Sequence, residues 1–218
     1  MEDDALQSYL ESIVSPERLK RFDEVLKNRT NYITVVMEDV YHMHNVSAVI
    51  RSCEVFGIQN VHIVENEFAK HLDKKIALGA QKWVDFTTHE TTMNCIKKLR
   101  SEDYSIIATT PHNNANTSRD YKITGKTALL FGTEKEGLSK LVMDEADGFL
   151  KIPMVGFTES LNVSVAAAII LQDLTHKLRS STLNWKLSPE EKKLKKLEWT
   201  KKSIKNIDKI ITRFLSDN

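Results

Sequence analysis

Between Tyr32 and Leu150 short β-branched runs alternate with helical stretches, and this alternation limits the fold more than any other feature of the chain. The runs are ITVVM (33–37), VHIV (61–64), WVDF (83–86), SIIAT (105–109), TALLF (127–131) and GFLKI (148–152). Helical patterns fall at 45–56, closed by Gly57, at about 89–102 and at about 138–146. Strands separated by helices need crossover connections, which gives a mostly parallel sheet covered on both faces. A long apolar helix is expected over about 161–179. The first thirty residues read as two short helices. The second is capped by Ser15 with Pro16 behind it, and Leu19, Phe22, Val25 and Leu26 share a face. A further capped helix starts at Ser188-Pro189-Glu190-Glu191 and carries Leu197, Ile204, Ile207, Ile211 and Phe214 as one stripe. Three segments follow: a helical extension (1–30), an α/β domain (31–180) and a helical tail (181–218).

Composition narrows the functional classes. Gly and Pro number only 7 and 4, which excludes collagen-like and low-complexity readings. No apolar run nears the ~18 residues of a membrane helix, and MEDDALQS carries no secretory pattern. Cys53 and Cys95 lie in no CxxC motif and read as small buried helix residues, so a cytoplasmic protein is expected. Charge is uneven. Lys186–Arg213 holds ten Lys/Arg against four Asp/Glu, a balance of +6, so a chain of formal charge +1 carries −5 elsewhere. A basic tail on an acidic body suits phosphate or an acidic partner, or is a solvated face. Trp185 and Trp199, set among the lysines, could stack on bases.

Ligands of parallel sheets sit at the carboxyl ends of strands. Three polar loops lie there: 38–45, 132–137 and 153–162. No GxGxxG or GxxxxGK[ST] is present, which removes the common dinucleotide and P-loop readings. His42-x-His44 lacks a third ligand at a recognised spacing, so no metal is expected. Ser160 lacks the GxSxG elbow of a nucleophile. Ser160 or Asn162 would cap the long helix.

Three segments in order, Asn45-Val-Ser-Ala-Val-Ile-Arg51, Leu130-Phe-Gly-Thr-Glu134-Lys-Glu-Gly137-Leu-Ser139, and Ile152-Pro153 through Glu159-Ser160-Leu161-Asn162-Val163-Ser164-Val165-Ala166, resemble the motifs of the SpoU class of RNA ribose 2′-O-methyltransferases. The short N-terminal helices and the basic tail with LEWTKKSIK are similar to the branch that methylates a conserved guanosine ribose in the tRNA D-loop. The resemblance implies a six-stranded, mostly parallel sheet with a C-terminal trefoil knot, S-adenosylmethionine bound in the knot, and a homodimer. It assigns Arg51 to activation of the 2′-hydroxyl and Asn45 to positioning the arginine or its substrate, while Glu134, Ser160 and Asn162 would hold the site and the nucleotide. The adenosyl part would lie against Thr109, Thr110, Phe131, Gly132, Gly137, Ile152, Met154 and Leu161. Lys192, Lys193, Lys195 and Lys196 are the candidate phosphate contacts.

Glu136 stands two residues from Glu134, and the spacing Gly-x-Glu-x-x-Gly selects Glu134. Arginine stays protonated, so Arg51 acts as a base only where phosphate and a dry site change its balance; otherwise it stabilises a developing alkoxide. Its structural alternative is an i,i+3 ion pair with Glu54. Ribosomal RNA remains an alternative acceptor, disfavoured because only about thirty residues precede the first strand. A non-catalytic RNA-binding protein of the same fold remains a second alternative.

Overall fold

The computed structural model describes residues 2–40, 42–65, 79–111 and 115–216. They form two compact units, one from residues 30–185 and one from the two chain ends, up to residue 29 and from residue 186.

The larger unit is an α/β layer structure. Its strands are β1 (Ile33–Glu38), β2 (Asn60–Val64), β3 (Asp85–His89), β4 (Ser105–Thr109), β5 (Asn116–Thr117), β6 (Thr127–Phe131) and β7 (Gly148–Lys151), in the spatial order β3-β2-β1-β6-β4-β7-β5. Every pairing is parallel. Among the described residues the sheet therefore has seven strands where six were expected. The extra one, Asn116-Thr117, has no apolar run to announce it; it exists because its backbone pairs with Leu150 and Lys151. β3 also begins two residues later than WVDF suggests, since its ladder with β2 runs from Asn60↔Asp85 to Val64↔His89. Val84 is buried ahead of the strand.

Four helices cover this sheet: α3 (Met43–Phe56), α4 (Thr92–Ser101), α5 (Lys140–Glu145) and α6 (Val163–Arg179), numbered after α1 and α2 of the chain's first segment. Strand side chains alternate between faces. Val35, Met37, Leu129, Phe131 and Ile107 join a core with α3 and α6, while Val36, Ala128, Leu130, Ile106 and Ala108 join a second core with α4 and α5. All six residues of β1 are buried, as a central parallel strand requires. Gly57 ends α3 at φ 80°, a left-handed cap that favours glycine. On the α4 side, burial and the neighbouring His89 pull His62 down to about 4, burial lowers His89, and burial pushes the Cys95 thiol up to about 12.

The smaller unit holds α1 (Glu2–Ile13), α2 (Pro16–Leu26), α7 (Pro189–Ser203) and α8 (Ile207–Ser216). The tail thus breaks into two helices where one was expected, at Asn206, whose φ of 54° is left-handed. A full capping box opens α7: the Ser188 hydroxyl accepts from Glu191 N, and the Glu191 carboxylate accepts from Ser188 N.

The two tryptophans are not base-stacking platforms. Trp185 is buried in the larger unit's core, and Trp199 is 1% exposed. Trp199 meets Phe22 edge-on with ring centroids 5.7 Å apart, and the Arg29 guanidinium lies 5.4 Å from its ring. Trp199→Ala is expected to destabilise the helical unit by about 3–5 kcal/mol, measured by chemical denaturation, and a loss below about 1 kcal/mol would contradict this packing role.

Candidate functional site

Parallel strands all point one way, so the loops after β4, β6 and β7 gather at one edge of the sheet. They enclose a cavity of about 530 Å³. Its lining includes Thr109, Thr110, Phe131, Gly132, Gly137, Ile152, Met154 and Leu161, all eight of the residues proposed for the cofactor, together with Glu134 and Ser160. Pro111, Thr133, Lys135, Ala166 and Ile170 complete parts of the wall that sequence reasoning did not single out. Apolar side chains from Phe131, Ile152, Leu161 and Ile170 stand beside hydroxyls and the acidic side chains of Glu134, Glu136 and Glu159. A nucleoside-sized ligand with an apolar ring and a polar edge fits such a lining.

The loop after β6 turns back on itself. Thr133 and Gly137 exchange two backbone hydrogen bonds, Thr133 N to Gly137 O at 3.0 Å and Gly137 N to Thr133 O at 3.1 Å. Gly137 adopts φ 73°. A Cβ placed on Gly132 would lie 2.1 Å from the Gly137 carbonyl oxygen, so the turn demands glycine there. On the strand below, the Thr109 hydroxyl donates to Leu130 O at 2.7 Å.

The three motifs meet at one set of hydrogen bonds. Asn45, buried in the first turn of α3, donates from Nδ2 to Glu134 Oε1 at 2.8 Å. Asn162 donates from Nδ2 to the same oxygen at 2.6 Å and to Asn45 Oδ1 at 3.1 Å. Asn162 also caps α6, its Oδ1 accepting from Ser164 N at 2.8 Å and Ser164 Oγ at 2.6 Å. Residues 117 positions apart are thereby joined through one carboxylate oxygen. Glu134 Oε2 accepts from no described residue.

Ser160 lies on the cavity wall, exposed, with no hydrogen bond to a described residue. Arg51 is not gathered into this set. It stands six residues beyond Asn45, about 240° around the helix, and its side chain is exposed. It makes no ion pair with Glu54 or any other described residue. Of the tail lysines, Lys195 donates to Glu198 at 2.6 Å, and Lys196 pairs with Asp23 at 3.0 Å and Glu11 at 3.8 Å. Lys192 and Lys193 lie in the first turns of α7, Lys193 exposed. Lys195 and Lys202 hold the Glu198 carboxyl below the usual range, outweighing the opposing effect of its partial burial.

Glu38 was missed as a site residue. Ending β1 and 2% exposed, it accepts from Ser139 N at 2.9 Å, Ser139 Oγ at 2.8 Å and Thr92 Oγ1 at 2.5 Å. Ser139 caps α5 just after the cavity loop, so this buried carboxylate ties that loop to the central strand. The available signal was an acid closing an otherwise apolar run.

The profile described as the SpoU rRNA Methylase family matches residues 32–172, which span all three motifs and all the strands described above. The chain belongs to that family. Among its relatives, the tRNA (guanosine(18)-2′-O)-methyltransferase of Borreliella burgdorferi is 36% identical over 208 residues, covering 94% of this chain and 95% of the relative. The solved Aquifex aeolicus TrmH/SpoU tRNA modifying enzyme superposes with a TM-score of 0.76 at 29% identity, covering 86% of this chain and 97% of that one. The SpoU methyltransferase AviRb of Streptomyces viridochromogenes, solved in complex with AdoMet, shares the fold with a TM-score of 0.62 at 21% identity, covering 70% and 63%. In this SpoU family member, Gly132→Ala is expected to disrupt the cavity loop and weaken binding of a cavity ligand at least tenfold by calorimetry, because the Cβ collides with backbone rather than with a movable side chain. Unchanged affinity would show that the loop tolerates opening.

Proposed function

We propose that this chain is an S-adenosylmethionine-dependent tRNA (guanosine(18)-2′-O)-methyltransferase. The observation that carries the reading is the Asn45–Glu134–Asn162 set, which unites the three family motifs through Glu134, a wall residue of a nucleoside-sized cavity. The full-length similarity to the Borreliella burgdorferi tRNA enzyme supports tRNA as the acceptor. S-adenosylmethionine bound in the cavity supplies a methyl group already activated by its sulfonium. The chain must then place the ribose hydroxyl in line and manage its proton. Glu134, its Oε1 fixed by two amides, offers Oε2 to orient the acceptor ribose. Asn45 and Asn162 keep that carboxylate from rotating, and Ser160 adds a hydroxyl at the rim. The family motif gives Arg51, which stands on the exposed face of α3 apart from this set, the role of stabilising the oxyanion by its positive charge as the 2′-hydroxyl proton passes to solvent water and the oxygen takes the methyl group.

Two finer features belong to the same proposal. β7 sits between β4 and β5, so the chain passes from β4 to β5 and later returns to fill the gap. The Ser118 hydroxyl bonds Asp173, and the Lys177 ammonium bonds the carbonyls of Ser118, Arg119 and Tyr121, fastening the β5 region to α6. This arrangement supports the trefoil knot. A homodimer is supported by exposed apolar side chains: Val165 and Ile169 one turn apart on α6, and Val55 one turn beyond Arg51 on α3. Lys192, Lys193, Lys195 and Lys196 would contact tRNA phosphates, Lys195 and Lys196 by exchanging their carboxylate partners.

Labelled methyl transfer to an unmodified tRNA transcript, mapped by ribose-methylation-sensitive cleavage, is expected to mark guanosine 18 alone. Transfer to ribosomal RNA instead would overturn the acceptor and keep the chemistry. Arg51→Ala should retain fold and cofactor affinity while turnover falls roughly 100-fold or more; near wild-type turnover would remove Arg51 from the mechanism. Val165→Glu with Ile169→Glu should convert a dimer to a monomer in sedimentation, whereas an unchanged mass would place the interface elsewhere.

A further inference from the structure

Strand alternation sends Val61 and Ile63 of β2 into the α3/α6 core and turns His62 to the opposite face, toward α4. On the neighbouring strand His89 pairs with Val64, two positions along from His62, so the two imidazoles meet on a diagonal. His62 Nδ1 lies 2.9 Å from His89 Nε2. Above them α4 contributes Cys95. The three residues are 4%, 8% and 1% exposed, and their ligand atoms all lie within 4.8 Å of one another. No other cluster of three such groups occurs among the described residues.

We propose that His62, His89 and Cys95 form a binding site for a borderline-soft divalent cation of the zinc type, which fastens α4 to the edge of the sheet. Nothing in the methyl-transfer site uses these residues. The His–His hydrogen bond satisfies one nitrogen of each ring, but it gives no reason for the thiol, which bonds no described residue. Two imidazoles and a sulfur select zinc-like ions over magnesium or calcium, which prefer oxygen. Zinc–nitrogen bonds of about 2.1 Å and a zinc–sulfur bond of about 2.3 Å set tetrahedral ligand separations near 3.3–3.6 Å. Reaching them requires the imidazoles to part slightly and the sulfur to close by at most about 1.5 Å, within reach of side-chain torsions. β3 is an edge strand, so an ion need not cross the core to enter, and water can take the fourth position.

Binding balances with one proton. The Cys95 S–H bond breaks, a sulfur–metal bond forms, and that proton goes to solvent. The proton between His62 Nδ1 and His89 Nε2 moves to the outer nitrogen of the ring that carries it, freeing both facing lone pairs without further release.

The test titrates the reduced, chelator-treated full chain with Co²⁺ and then Zn²⁺. One ion per chain is expected, with a sulfur-to-cobalt charge-transfer band, release of one proton measured by indicator dye, displacement by Zn²⁺ and a higher melting temperature. Cys95→Ala, a small change at a buried helical position, should keep the metal-free fold by circular dichroism, lose the band and weaken Zn²⁺ binding roughly 100-fold or more. His89→Gln provides the same test from the strand side. Absence of the cobalt band in the unsubstituted chain overturns the proposal whether or not the variants fold. So does Zn²⁺ affinity unaltered in Cys95→Ala, which would place the ion elsewhere, for instance on the stacked pair His42 and His44.

Discussion

β7 holds the arrangement together. By pairing with β4 on one side and β5 on the other, this four-residue strand sets where the chain re-emerges from the sheet. The loop that follows must then pass the end of β6, and α6 must start beside α3. The cavity between these loops, and the meeting of Asn162 with Asn45 and Glu134, both depend on that placement. A parallel sheet concentrates strand-end loops on one edge by geometry alone; the position of β7 decides which loops face each other.

The meeting point is electrostatically economical. One carboxylate oxygen takes two amide donors, while the orphan N–H of Ser164 in the first turn of α6 is served by the cap residue itself, Asn162. One side chain therefore both caps α6 and joins the Glu134 set. Glu38 performs a parallel task beneath the cavity loop. A buried carboxyl group with three donors fixes the start of α5, directly after the cavity loop, to the end of the central strand.

Much of the fold was legible in the residues because burial on both faces writes itself as apolar runs such as ITVVM and TALLF. The caps at Ser15, Ser188 and Gly57 were legible for the same local reason: each satisfies backbone groups within its own turn. What escaped was non-local. Asn116-Thr117 becomes a strand only because β7 lies beside it, and the tail breaks at Asn206 although its apolar stripe continues across the break. Trp199 looked like an aromatic among lysines. Its ring is instead the core of the helical unit, a choice that neighbouring residues in sequence do not encode.

The sequence by itself determined the class of fold, the three ordered motifs and, through the family they resemble, eight residues of the cavity wall, since strand ends and motif loops are local features. Tertiary structure alone decided the seventh strand, the hydrogen bonds that join residues 45, 134 and 162, the buried tether at Glu38 and the approach of His62, His89 and Cys95. It also left Arg51 on an exposed face rather than with its motif partners. The physical reason is common to all of these. Hydrogen bonds and side-chain clusters between distant segments depend on register and strand order, and a parallel sheet sets both through crossovers that no short stretch of sequence contains.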